Sequence, residues 1–218
     1  MKTSSERYLP FLNAKWLLMS MRYVRFLYLL IRCLPNIGRP GVLLVAMPKS
    51  GSSFLEEYLS IKMNLRPLVA SSTIYRESYF GDSHLVKLKR IDIFLVRFFG
   101  VLIKTHSLPQ ESDLSMLSSD QVYFLFRDPY EAAASGVRHA HRYPWHSREC
   151  LEHNQLYAEF VTWKMAADVL CTEFNSLNTE SLEAELSSLF PDDKGGSSYS
   201  QILDRVKLKN PSHYEGMK

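Results

Sequence analysis

The chain is poor in cysteine and glycine and has no long uninterrupted hydrophobic run. Its three cysteines, Cys33, Cys150 and Cys171, form no framework and no C-x-x-C pair. That excludes a disulfide-stapled scaffold and fits a reducing compartment. Between Trp16 and Leu34 large apolar residues are dense, but Arg22, Arg25 and Arg32 interrupt them. The longest clean run there, Phe26–Ile31, falls well short of the roughly 20 residues of a membrane span. It is also a poor secretory core segment. Acidic residues are scarce at the start. Residues 1–40 hold seven basic residues against one acidic, Glu6, a net +6; the whole chain carries +3, so residues 41–218 carry −3. There is no internal repeat and no low-complexity tract.

What is present is a globular composition: 218 residues, 46% hydrophobic and 22% charged. That suits one domain with a sizeable core, expected over residues 41–218 behind a basic amphipathic segment at 1–40. At 100° per residue, Lys15, Arg22, Arg25 and Arg32 share one sector of a helical wheel, opposite a broad apolar face. Residues 15–34 therefore have two open readings. They lie in a membrane interface against anionic lipid, or they pack on the domain itself. Anchoring through residues 16–34 is a third. The expected location is the cytoplasm, with or without membrane association, and no nucleic acid is expected as a partner.

The chemistry begins after the apolar run Val42-Leu43-Leu44-Val45-Ala46-Met47, which reads as a buried strand. It feeds Pro48-Lys49-Ser50-Gly51-Ser52-Ser53-Phe54, and a helix pattern starts with Phe54, Leu55, Tyr58 and Leu59. A strand, a turn of small residues and a helix start aim backbone N–H groups at one point, which is an anion site. Lys49 and the hydroxyls add charge and donors. The spacing is not that of the triphosphate loop G-x-x-x-x-G-K-[ST]. Lys49 precedes Gly51, and the nearest upstream glycine, Gly41, stands at the start of the strand.

Two further stretches follow strand-like runs. Lys104-Thr105-His106-Ser107-Leu108-Pro109 comes after Val101-Leu102-Ile103, and Arg127-Asp128-Pro129 after Val122-Tyr123-Phe124-Leu125-Phe126, with Ser135 eight residues past the arginine. In this order the three resemble the sulfotransferases that use 3′-phosphoadenosine 5′-phosphosulfate (PAPS), specifically the cytosolic-type branch. The likeness covers about residues 41–190. A weaker fourth match, Val169–Leu177, is similar to that family's strand ending in Tyr-Glu-Asp-Leu, with Phe174 in place of the tyrosine. The late Arg-Lys-Gly element has no clean counterpart; Lys207 and Lys209 stand nearest. The chain is short for the family, so a truncated acceptor pocket or an unusual acceptor is an expectation.

The resemblance implies a P-loop-like α/β fold, a central parallel sheet with helices on both faces. Alternation of strands and helices along the chain argues the same, with ligands at the carboxyl ends of the strands. It also implies site roles. Lys49, Ser50, Gly51, Ser52 and Ser53 would hold the 5′-phosphosulfate, Phe54 would stack on adenine, Arg127 and Ser135 would bind the 3′-phosphate, and Phe174 would lie near the nucleotide. Sulfuryl transfer needs cations on the oxygens and a base for the acceptor, much as phosphoryl transfer does. Lys49 and Lys104 are the expected cations and His106 the expected base. No metal is expected. The acceptor is a hydroxyl or an amine of unspecified type, its pocket shaped by residues 65–100 and 138–153.

Blander readings stand beside these. Ser50 to Ser53 also suit a simple turn and helix cap, Phe54 suits a core, and Arg127 suits an i, i+4 pair with Glu131. Glu56-Glu57 and Asp192-Asp193 read as solvated charges. His139, His141, His146, His153 and Cys150 lack metal-site spacing. The rival functions are a small-molecule kinase with a degenerate phosphate loop and a non-catalytic nucleotide-binding protein on the same fold.

Overall fold

The computed structural model describes residues 24, 27–28, 31–32, 34–47, 49–68, 88–106, 109–128, 131–132, 134–135, 174–191 and 196–209. Five strands form one sheet: β1 (Val42–Ala46), β2 (Arg66–Leu68), β3 (Val101–Thr105), β4 (Val122–Phe126) and β5 (Asn175–Asn178). The order across the sheet is β2-β3-β1-β4-β5, and every pairing is parallel. The α-helices described over their whole length are α1 (Ser52–Lys62), α2 (Arg90–Phe98), α3 (Glu111–Leu114), α4 (Leu182–Leu189) and α5 (Tyr199–Lys209).

Parallel strands buried on both faces need apolar residues at every position rather than at alternate ones. β1 meets that demand, with all five residues fully buried. Its side chains alternate between two cores. Leu43 and Val45 pack with Ile93, Leu95 and Val96 of α2 and Leu114 of α3. Val42, Leu44 and Ala46 pack with Leu55 and Leu59 of α1, Leu186 of α4 and Ile202 of α5. The sheet is thus the middle layer of three, the architecture expected from the alternation of elements.

Two elements depart from the sequence expectation, which left the stretch up to Gly100 unassigned. β2 is three residues long and carries Pro67, tolerated because β2 is an edge strand. In α2 only Asp92 interrupts the inner face, and it is fully buried because its carboxylate accepts the Lys89 N–H at the helix start (2.9 Å). α5 is a further addition. Its Ile202 and Val206 are buried against α1, and Lys209 Nζ meets Glu57 Oε1 at 2.5 Å.

At the amino edge of the sheet the chain makes a close approach. An ideal Cβ on Gly41 would sit 2.1 Å from the Val101 carbonyl oxygen and 2.9 Å from that of Val96. Both obstacles are backbone, so neither can swing aside. Replacing Gly41 by alanine is expected to cost about 3 kcal/mol, the upper end of ordinary overpacking. Urea denaturation checks it, and a loss below about 1 kcal/mol would show that the two strands can separate there without penalty.

Candidate functional site

The strand order places a divergence beside β1. The chain leaves β1 toward β2 and β3 on one side, and leaves β4 toward β5 on the other. In open α/β sheets ligands bind at the carboxyl ends of strands that part in this way. All three sequence motifs lie at that edge: the turn after β1, Lys104 and His106 at the end of β3, and Arg127 after β4.

The turn is held in an unusual backbone shape. Lys49 has φ 61 and Gly51 has φ 87, both left-handed, on either side of Ser50. For glycine this conformation is free of penalty; for lysine it costs about 1–2 kcal/mol. The surroundings fix it. Ser50 is fully buried, and its hydroxyl donates to the Met47 carbonyl at 2.6 Å. Arg127 Nη1 donates to the Lys49 carbonyl at 3.1 Å. The Thr179 hydroxyl lies 2.8 Å from the Ser50 carbonyl and 2.7 Å from that of Phe126, its one proton shared between them. Three loop carbonyls are therefore turned toward protein donors. α1 then starts at Ser52, with Gly51 as its cap residue and no side-chain cap. Intrahelical bonding begins only with the N–H groups of Phe54 and Leu55, which donate to the Gly51 carbonyl.

Lys104 sits on the α1 side of β3 and reaches Glu56 of α1, Nζ to Oε2 at 2.5 Å, both side chains about one quarter exposed. Glu56 and Glu57 are therefore not simply solvated, as their sequence position suggested. Each pairs with a lysine far away in the chain, Glu56 with Lys104 and Glu57 with Lys209. His106 is 7% exposed, and its Nδ1 lies 2.7 Å from the carbonyl oxygen of Ala46, the last residue of β1. A carbonyl only accepts, so Nδ1 carries the proton. In the neutral form of such a ring the basic lone pair is on Nε2.

Arg127 is divided between two jobs. Besides the Lys49 carbonyl, its Nη2 donates to Glu131 Oε2 at 2.8 Å, the i, i+4 pair of the blander reading. Its Nε is buried and meets no acceptor among the described residues. Asp128 Oδ1 accepts the Glu131 N–H at 3.1 Å, the cap expected of that position.

Three of the expected residues are placed differently from the rest. Phe54 is 5% exposed, its ring centroid 4.9 Å from that of Tyr199 and 5.9 Å from that of Tyr58. Its contacts are those of a core residue, and Tyr199 occupies the flank expected to receive a base. Ser135 is helical and half-buried, with no contact to Arg127 among the described interactions. Phe174 lies at the wrong end of the sheet. β5 starts at Asn175, opposite Tyr123 near the start of β4, and the Phe174 ring packs 6.0 Å from that of Phe124 in the α2-side core. The match at Val169–Leu177 took this strand to finish where it begins. Thr179 stands at the carboxyl end instead. Its only sequence signal was a small polar residue just past a strand, where ligands collect.

Burial beside Phe190, with the Asp120 charge second, pushes the Tyr123 hydroxyl from 10.0 up to about 12, so it stays neutral in the core. Among the described residues no group of three histidine, cysteine or acidic side chains is placed to hold a metal ion. The histidines at 139, 141, 146 and 153, with Cys150, lie outside the described residues. No described helix is long and apolar enough to cross a membrane. Comparison of the chain with protein-family models, with curated proteins and with solved structures finds no match.

Proposed function

We propose that the protein is a PAPS-dependent sulfotransferase acting on a hydroxyl or amine acceptor. The observation that carries this reading is the meeting, at one sheet edge, of an uncapped helix start behind Lys49 with Lys104, His106 and Arg127. The residues fit a nucleotide with two anionic ends. The turn after β1 and the first N–H groups of α1 suit the 5′ end. The Arg127 guanidinium suits the 3′-phosphate: its buried Nε–H meets no acceptor among the described residues, and the carboxylate it now meets, Glu131, is 58% exposed and open to exchange.

In this mechanism PAPS supplies an activated sulfuryl group. His106 Nε2 takes the proton of the acceptor hydroxyl or amine, while Nδ1–H stays on the Ala46 carbonyl and keeps the ring aimed. The acceptor–sulfur bond forms as the sulfur–oxygen bond to the 5′-phosphate breaks, and the electron pair leaves with that oxygen. Lys49 and Lys104 offset the charge that grows there. Lys104 is steered by Glu56, so α1 carries both the anion-binding start and the carboxylate that aims the second cation.

Calorimetric titration with 3′-phosphoadenosine 5′-phosphate, ADP and magnesium-ATP tests this. Binding that needs the 3′-phosphate and ignores magnesium is expected. Preference for magnesium-ATP would move the protein to the kinases. Failure to bind any of the three would overturn the nucleotide reading.

A further inference from the structure

α2 is apolar on both sides. Its inner face, Asp92, Ile93, Leu95 and Val96, is buried against the sheet. Its outer face holds Ile91, Phe94 and Phe98, which are 41%, 44% and 38% exposed. At about 100° per residue the outward residues run Arg97, Arg90, Phe94, Phe98, Ile91 across an arc of about 120°. That is an apolar band with a basic border. The Phe94 and Phe98 rings lie 5.1 Å apart, and the Arg97 guanidinium lies 5.2 Å from the Phe98 ring centre.

Further exposed apolar residues lie next to the end of the helix. The Gly38 N–H donates to the Phe98 carbonyl at 2.7 Å, and the Gly100 N–H to the Arg39 carbonyl at 2.8 Å. These bonds seat residues 34–39 against the end of α2, with Leu34 47% and Ile37 58% exposed. The chain leading in is helical at Tyr28, Ile31 and Arg32, which are also exposed, and the Arg32 guanidinium sits over the Tyr28 ring at 5.7 Å. Every exposed charged residue among the described positions in 24–40 and 88–99 is basic: Arg32, Arg39, Lys89, Arg90 and Arg97. The single acid there, Asp92, is buried in the α2 cap. Solvent alone gives no reason for aromatic rings outside the core, and an ordinary solvated face carries both signs of charge.

We infer that this face docks on a membrane surface bearing anionic lipid headgroups, with Phe94, Phe98, Ile91 and Ile37 entering the headgroup boundary and the arginines meeting phosphate or carboxylate groups. Apolar insertion bordered by cations and free of exposed acid is the chemistry of interfacial binding to negatively charged bilayers. α2 lies on the flank of the sheet and residues 34–39 at its amino edge, so docking leaves the carboxyl edge with Lys49 and His106 open. The inference stands apart from the sulfotransferase reading and survives or fails without it.

The test is co-sedimentation of the full chain with vesicles of phosphatidylcholine alone and of phosphatidylcholine with phosphatidylserine. Binding is expected only with phosphatidylserine present and is expected to weaken as salt rises. The pair Arg90→Gln and Arg97→Gln should weaken it about thirtyfold, taking roughly a factor of five for each cation removed from the surface. Phe94→Ser with Phe98→Ser should weaken it at least about tenfold. Arg90 and Arg97 are exposed, so the arginine variant should melt like the parent, and the salt titration of the parent needs no variant at all. Absence of binding to anionic vesicles overturns the inference. So does equal binding to both vesicle types that the arginine pair leaves unchanged. Lipid-free self-association that the phenylalanine pair dissolves would overturn it too, assigning the face to a second copy of the chain.

Discussion

Replacing His106 by alanine is expected to lower turnover by about two to four orders of magnitude, the usual worth of a positioned acid–base group, while leaving binding of 3′-phosphoadenosine 5′-phosphate intact. The geometry makes the prediction sharper than a simple deletion. The ring is tied through Nδ1 to the Ala46 carbonyl at 2.7 Å, so part of any loss from alanine reflects a missing buried hydrogen bond, about 1 kcal/mol of stability. Asparagine separates the two roles. Its side-chain amide can donate to Ala46 in place of Nδ1–H but has no basic lone pair to take a proton. His106→Asn should therefore recover the parent's melting temperature and remain as slow as alanine. Turnover close to that of the parent in the asparagine variant would remove His106 from the base role. Loss of nucleotide binding in either variant would make it a binding residue instead.

The three motif strands were readable because burial on both faces forces continuous apolar runs, and each run ended in polar residues with a distinct pattern. α2 was not readable for the opposite reason. In Arg90–Phe98 the two arginines mark one narrow side, but the apolar arc covers most of the rest of the circumference over only nine residues, and its isoleucine, valine and phenylalanine content suits a strand equally well. The feature that hid the helix is the one that gives it an outward apolar face. β2 is too short to carry any pattern.

At the site, local chemistry was legible and long-range pairing was not. Gly51 as a left-handed cap and Asp128 as a helix cap follow from neighbouring residues. Glu56 with Lys104 and Glu57 with Lys209 join positions 48 and 152 residues apart, and two adjacent acids on a helix carry no mark of such partners. Thr179 is similar. Its hydroxyl joins the ends of β1 and β4 only because β5 pairs with β4 in the observed register. The same register moves Phe174 away from the site, since in a parallel pair a residue before the strand faces the amino edge.

The loop after β1 is thus held by residues from two other strand ends, and Arg127 is one of them, which shapes the last expectation. Arg127→Ala should weaken binding of 3′-phosphorylated nucleotide by about tenfold to a hundredfold more than it weakens binding of the analogue lacking that phosphate, the worth of a charge-assisted hydrogen bond. The comparison between nucleotides is essential, because the same guanidinium also holds the Lys49 carbonyl at 3.1 Å. A loop released from that bond would bind both nucleotides less well and by the same factor. Glu131→Gln supplies the opposite perturbation. It neutralises the carboxylate that meets Nη2 at 2.8 Å and leaves the Lys49 contact in place, so the 3′-phosphate meets less competition and binding should tighten. Calorimetry of both variants with both nucleotides decides between the roles. A selective loss in the first and a gain in the second make Arg127 a phosphate ligand. An equal loss for both nucleotides, with no gain in the second variant, leaves it as the clamp of a strained turn.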